Sequence, residues 1–165
     1  MIIYEEVIKE FQRQRVRYLI VGGIAQNLHG SIRATVDLDI LVEMSDRNLK
    51  KIVQILKGQG YRVRQPVDPM GIADPSTREN WIHKKHMKAF NFYKDVELKE
   101  VDIIIDSPVS YEEAKKKADS VKVGSLLLPF ISIDHLIKMK TGTGRAIDKL
   151  DIQELTKIKR LRKRK

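Results

Sequence analysis

The sequence predicts an α/β fold of the α+β kind: a small mixed β-sheet carrying three carboxylates, flanked by helices, with a C-terminal helical pair. Three observations predict it. Apolar residues recur at helical spacing in Ile3, Val7 and Phe11 and again in Leu49, Ile52, Val53 and Leu56; they alternate through VDLDILV; and they run almost unbroken through VDIIID. With 165 residues the chain suffices for one compact domain but not for two. Residues 1–165 therefore read as a single domain, with 157–165 as a basic C-terminal tail.

In chain order, the first helix carries Ile3, Val7 and Phe11 on one stripe among Glu, Lys and Arg. Tyr18 to Val21 reads as a short strand stopped by Gly22 and Gly23, and IAQNLHG as a brief helix closed by Gly30. In VDLDILV the two-residue period sends Asp37, Asp39 and Leu41 to one face and Leu38, Ile40 and Val42 to the other. Ser45 or Asp46 caps the next helix, which Gly58 and Gly60 end, and a strand follows at Tyr61 to Arg64. Pro66, Pro69, Gly71 and Pro75 make Gln65 to Asn80 a loop, a candidate substrate-contacting flap. Strands are expected at Met87 to Tyr93 and Leu98 to Ile105, turning at Lys94 and Asp95. A helix at Tyr111 to Ala118, strand material at Val121 to Leu128, a helix opened by Ser132 and a last one from Arg145 complete the chain.

Composition narrows the function. The formal charge is +10, but the last nine residues, KIKRLRKRK, hold seven positive charges and leave only +3 elsewhere. Such a block attracts polyanions by releasing counterions, and is also what a solvated chain end looks like. Without cysteine there is neither a disulfide nor a thiolate metal site, so a bound metal must rest on oxygen or imidazole ligands, which favours hard cations. No apolar stretch is long enough to span a membrane, and the start MIIYEEVIKE lacks the pattern of a signal peptide; cytoplasmic residence without membrane contact is expected.

The chemistry sits in the carboxylates. Phosphoryl and nucleotidyl transfer need the charge of a triphosphate neutralised and the entering and leaving oxygens held in line. Two Mg²⁺ ions roughly 3.5 to 4 Å apart do this, bound by carboxylates on a rigid support. Asp37 and Asp39 point the same way from one strand, and Asp102 can arrive from another. An Asp-x-Asp alone is often a solvated edge, and a Gly-Gly alone a turn. Three carboxylates within apolar strands argue for a cation, because uncompensated buried charges crowd one another's titration upward. His83 and His86 lack a third ligand, Ser31, Ser76 and Ser125 lack a nucleophile elbow, and Gly142 to Arg145 lacks the ending of a P-loop.

Together these residues resemble the nucleotidyltransferase superfamily of DNA polymerase beta type, whose pattern is a hydrophobic strand, Gly-Gly or Gly-Ser, Asp-x-Asp and a later single carboxylate. The match runs through YLIVGGIAQNLHGSIRATVDLDILV and EVDIII. More narrowly, GGIAQNLHG followed by RATVDLDILV is similar to the branch containing the toxin subunit of type IV abortive-infection systems (AbiEii-like), and KMKTGTGRAIDKLDIQEL is similar to that branch's late lysine and mixed helix. The resemblance implies that Asp37 and Asp39 hold two Mg²⁺ ions, which Mn²⁺ can replace, and that Asp102 joins the one nearer the acceptor hydroxyl. It implies that Gly22 and Gly23 line the triphosphate, that Arg33 contacts phosphate or pairs with a neighbouring carboxylate, and that Lys138 or Lys140 is the late lysine. Asp148 and Asp151 match the acidic positions of the last helix, with an ordinary Arg145–Asp148 pair as the alternative. Much of the superfamily has serine where this chain has Gly23, and thirteen residues separate Gly23 from Asp37.

The implied activity is Mg²⁺-dependent transfer of a nucleoside monophosphate from a nucleoside triphosphate to an acceptor hydroxyl on RNA, protein or a small molecule, with release of pyrophosphate. The alternatives are a nucleotide- or RNA-binding regulatory module that has lost turnover, and the enzymatic half of a toxin–antitoxin pair, which requires a cognate antitoxin or partner chain.

Overall fold

The structure is a computed structural model that describes residues 3–164. Helix α1 (Glu5–Arg13) buries Val7, Ile8 and Phe11 and is polarised by Glu5 and Glu6 in its first turn and Arg13 in its last. Ile3 stands outside the helix and is 53% exposed; Tyr4 is buried in its place. The chain continues through β1 (Tyr18–Ile20), α2 (Gly22–Leu28), β2 (Leu38–Val42), α3 (Asp46–Gly58) and β3 (Arg62–Val63). Ser45 is the cap of α3, its side chain accepting from the Asn48 N–H. After α4 (Pro75–His83) come β4 (Ala89–Lys94), β5 (Lys99–Ile104), α5 (Tyr111–Lys115), β6 (Asp119–Val123), β7 (Leu126–Phe130), α6 (Ile133–Lys140) and α7 (Ala146–Arg162).

Among the described residues the strands form one mixed sheet in the order β3-β4-β5-β2-β1-β7-β6. The centre combines parallel pairing of β2 with β5 and of β1 with β7 with antiparallel pairing of β1 and β2. Leu38 and Ile40 on β2, Ile20 on β1, Val101 and Ile103 on β5, and Phe90 and Phe92 on β4 are all but inaccessible. Leu38 and Ile20 belong to the buried core together with Tyr4, Ile8 of α1 and Leu128 of β7, and these residues share the lining of a small pocket. The Tyr4 hydroxyl lies 2.5 Å from the Val36 carbonyl and 2.7 Å from that of Glu100, and accepts the Glu100 N–H at 3.1 Å. One phenol thereby fastens the approaches to β2 and β5, the two strands that carry the predicted carboxylates. Burial pushes that phenol up to about 12.

Three elements differ from the sequence reading. The segment Gln65 to Asn80, expected as a loop, contains a 3-10 turn (Pro69–Ala73) and most of α4. Pro69 and Pro75 stand at the starts of helices, where a missing N–H costs no hydrogen bond, and Asp68 and Asp74 cap them, accepting from Met70 N at 2.9 Å and Thr77 N at 2.7 Å. Trp81 then anchors α4 by stacking on Phe90 at 4.9 Å. The turn at Lys94 and Asp95 is a 3-10 turn over Asp95–Glu97 with Leu98 in the left-handed region. The strand material at Val121 to Leu128 resolves into a hairpin of β6 and β7 that reverses at Gly124, whose φ is +60°. The basic tail is also less separate than expected: residues 157–162 belong to α7, Lys159 pairs with Asp134, and Arg162 donates to the His29 carbonyl at 3.0 Å. Lys165 lies outside the described residues.

Replacing Asp74 with Ala should cost about 1 kcal/mol, the worth of a lost cap. Trp81→Ala should cost about 3 to 5 kcal/mol, the range for emptying a large aromatic site. Urea unfolding followed by circular dichroism measures both, and a negligible effect of Trp81→Ala would mean that α4 does not belong to the folded core.

Candidate active site

Parallel pairing of β2 and β5 sets Asp39 and Asp102 as register partners, so both side chains leave the same face of the sheet. Asp37 precedes Asp39 by two residues and shares that face. All three line one cleft of about 720 Å³, together with Gly22, Gly23, Arg33, Thr35, Lys140 and Arg145 on one side and Lys88, Asp106 and Ser107 on the other. The Val21 N–H donates to the Asp39 carbonyl at 2.9 Å, which carries the β1–β2 pairing up to the glycines. Gly22 has a φ of +63°, and a Cβ there would overlap the Asp39 carboxylate. At Gly23 a Cβ would come within 2.6 Å of the Thr35 hydroxyl oxygen. The glycines are therefore demanded by the carboxylate and the threonine that pack against them.

The electrostatics follow from the crowding. Burial, then the charges of Asp102 and Asp37, push the Asp39 carboxyl up to about 7, although Lys140 and the Gly23 N–H oppose the shift. Burial also raises Asp102, against a hydrogen bond from Asn91, and raises Asp37, helped by the charge of Glu100. Among the described residues no three His, Asp or Glu side chains stand close enough to enclose one ion by themselves. Asp37, Asp39 and Asp102 stand as an open row of carboxylates along the cleft. Mg²⁺ suits such a row, since it is usually held by one or two carboxylates with substrate phosphates and water completing the octahedron. The donors are hard oxygens on one face, and a cation there would relieve the repulsion that raises Asp39. The residues fit the ion.

On the glycine side a buried polar network links α2, α6 and α7. Lys140, 7% exposed, donates to Asp151 at 2.7 Å and approaches Asp148 at 3.5 Å. Arg33 pairs with Asp151, and the Gln26 amide donates to the same carboxylate at 3.1 Å. Asp148 also accepts from Thr143 at 2.6 Å and from Arg145 at 2.7 Å; burial alone would raise its carboxyl, and these donors hold it below the usual range. Asp148 and Asp151, 1% and 4% exposed, stand behind the cleft wall, where they hold Lys140, Arg33 and Arg145. Lys138 turns away to Glu113 at 3.2 Å and is not part of the cleft wall.

Sequence reading missed Thr35, Asn91 and Lys88. Thr35 shares the two-residue period of Asp37 and Asp39, a signal that was available. Asn91 is the polar residue between Phe90 and Phe92, and its partner is visible only once β4 pairs with β5. Lys88, paired with Asp106, carries no local signal.

No family model matches the chain, and no curated protein matches its sequence. Solved structures do match its fold. The lincomycin-bound lincosamide antibiotic adenylyltransferase LnuA superimposes with a TM-score of 0.63 at 18% identity, over 94% of this chain and 96% of its own. ANT(2")-Ia in complex with adenylyl-2"-tobramycin gives 0.57 at 14% identity, over 96% and 91%. An antigenic nucleotidyltransferase-like protein from Paracoccidioides brasiliensis gives 0.55 at 14% identity, over 95% and 77%. The mixed α/β architecture is thus that of nucleotidyltransferase structures, a likeness of fold that does not single out the abortive-infection branch.

The raised Asp39 carboxyl makes a prediction about metal-free protein. The folded chain keeps a proton up to about pH 7 that the unfolded chain releases near 3.8, so stability contributed at low pH should be lost as pH rises through that window. Asp39→Asn should flatten this slope and, at pH 8 with a chelator present, be more stable than wild type by on the order of a few kcal/mol, and so unfold at higher temperature. A lower melting temperature for Asp39→Asn at pH 8 would assign the carboxylate a structural role instead.

Proposed function

We propose that the chain is a Mg²⁺-dependent nucleotidyltransferase that moves a nucleoside monophosphate from a nucleoside triphosphate to an acceptor hydroxyl. The observation that carries this reading is the pairing of Asp39 with Asp102 beside Asp37, on the cleft face of the sheet and against two glycines. The match of fold to adenylyltransferases over nearly the whole chain supports it.

Asp37 and Asp39 would hold Mg²⁺, with Asp102 joining on the acceptor side; the ions would neutralise the triphosphate and polarise its α-phosphorus. Gly22 and Gly23 line the cleft, and their lack of side chains lets the Asp39 carboxylate and Thr35 close against the backbone beside the triphosphate. Lys140 and Arg33, held from behind by Asp151, present fixed positive charge to the β- and γ-phosphates without the cost of ordering a loose side chain. The acceptor oxygen attacks the α-phosphorus, the bond from that phosphorus to the bridging oxygen breaks, and pyrophosphate leaves. Asp102 takes the hydroxyl proton. Lys88 and Ser107, across the cleft from Lys140, border the acceptor side. An RNA end, a protein side chain and a small hydroxylated molecule all supply the hydroxyl; the cleft volume of about 720 Å³ falls in the range of small-molecule sites.

Incubation with each α-labelled triphosphate, Mg²⁺ and panels of the three acceptor classes should yield one acceptor gaining the mass of a nucleoside monophosphate. Asp39→Asn or Asp102→Asn should lower the rate by roughly 10² to 10³-fold or more, the kinetic equivalent of several kcal/mol. Wild-type protein that neither binds a Mg²⁺-triphosphate nor transfers would refute the reading.

The tail discriminates acceptor classes. Lys157, Arg160, Lys163 and Arg164 are exposed. Neutralising these four with Gln should leave triphosphate affinity unchanged. With an RNA acceptor, the slope of log binding constant against log salt should shrink by about 0.7 to 0.9 per charge removed; with a small molecule it should not move. Loss of triphosphate binding in the folded variant would place the tail in the cleft.

A further inference from the structure

We infer that Asn91 is a positioning residue for Asp102, and that Arg64 fixes the Asn91 amide for that task; the inference rests on the proposed role of Asp102. Asn91 on β4 is the antiparallel register partner of Asp102 on β5, so both side chains stand on the cleft face. The Asn91 Nδ2 donates to Asp102 Oδ1 at 2.7 Å and to Glu100 Oε2 at 3.0 Å. Its Oδ1 accepts from Arg64 Nε at 3.2 Å. A guanidinium only donates and an ionised carboxylate only accepts, so the amide fits between them one way round. Both amide hydrogens are used, and each goes to a carboxylate.

Arg64 is itself held. Its guanidinium pairs with Glu100 and lies over the Tyr93 ring, 4.7 Å from the centroid. A run of three side chains therefore extends from Arg64, just after the edge strand β3, through Asn91 to the carboxylate proposed to receive the acceptor proton. It takes up one oxygen of Asp102, and among the described residues Oδ2 makes no hydrogen bond. A carboxylate with one oxygen tied and one free presents a single ligand atom in a defined direction, as outer hydrogen bonds do at metal sites.

Core packing does not account for Asn91. Phe90 and Phe92, its neighbours on β4, are wholly buried on the opposite face and build the core there, while asparagine is among the residues disfavoured in strands. β4 lies inside the sheet between β3 and β5, where a β-branched residue would strengthen the strand. The polar residue stands where the carboxylates need a donor.

The test uses Mn²⁺ as probe, titrated into the whole chain and followed by electron paramagnetic resonance, with melting temperatures in chelator alongside. Wild type should bind Mn²⁺ and Asp39→Asn should abolish binding. Asn91→Leu, similar in volume and without donors, should weaken Mn²⁺ binding by roughly 10 to 100-fold, the range for lost outer-shell partners. Arg64→Met leaves Asn91 in place but releases its amide; Arg64 is largely exposed, so the variant keeps its fold, and it should weaken Mn²⁺ binding in the same direction by a smaller factor. Wild-type Mn²⁺ affinity in Asn91→Leu overturns the inference and spares the proposed function. If Asn91→Leu does not fold, Arg64→Met decides alone, and wild-type affinity there overturns it equally. A drop in melting temperature with Mn²⁺ affinity retained marks Asn91 as structural only. A wild-type chain that binds no Mn²⁺ overturns both readings.

Discussion

Everything at the cleft depends on the parallel pairing of β2 and β5. Shifting β5 by one residue along β2 would send Asp102 to the face of Leu38 and Ile103 into the cleft, because side chains alternate at every step. The register is held by burial on the far face, where Leu38, Ile40, Val101 and Ile103 are fully enclosed. It is held again by Tyr4, whose hydroxyl touches backbone at the entry to both strands. Charge clustered on one side of a sheet opposes folding, and the apolar side must outweigh it. That division of labour puts the stabilising apolar contacts on one face of the sheet and the carboxylates on the other.

The two sides of the cleft treat charge differently. Near the glycines the cations Lys140 and Arg33 are compensated from behind by Asp151, which is itself almost inaccessible. An ion pair of this kind offers little net stability, because desolvation offsets most of the attraction, yet removal of one partner leaves the other charge stranded. Its gain is in orientation. On the β4–β5 side the anions are in excess, and the donors from Asn91 and Arg64 reach only their outer edge. The result is a gradient from a positive wall to a negative floor.

Much of this was legible in the sequence, and the limits have physical reasons. The two-residue period of VDLDILV gave the shared face of Asp37 and Asp39, and the apolar run around Asp102 announced a second central strand. Ser45, Gly22 and the aliphatic spacing of α3 carried their own local signals. The segment 65–80 did not, because its prolines mark helix starts as readily as loops, and only the capping hydrogen bonds of Asp68 and Asp74 decide the matter. The choice between Lys138 and Lys140 was open because two residues on a helix point about 200° apart, and only packing of α6 shows which faces the cleft. Arg33 with Asp151 and Asn91 with Asp102 are separated by 118 and 11 residues, and no local rule pairs them.

The contact between Gly23 and Thr35 has a consequence for how such a site can change. A side chain added at Gly23 would run into the Thr35 oxygen at 2.6 Å and its Cβ at 2.8 Å, so the two positions draw on a single volume. This chain fills that volume with Thr35, the residue two before Asp37. Serine at 23 alone would collide with Thr35, and glycine at 35 alone would leave a gap, so neither position can change freely without the other.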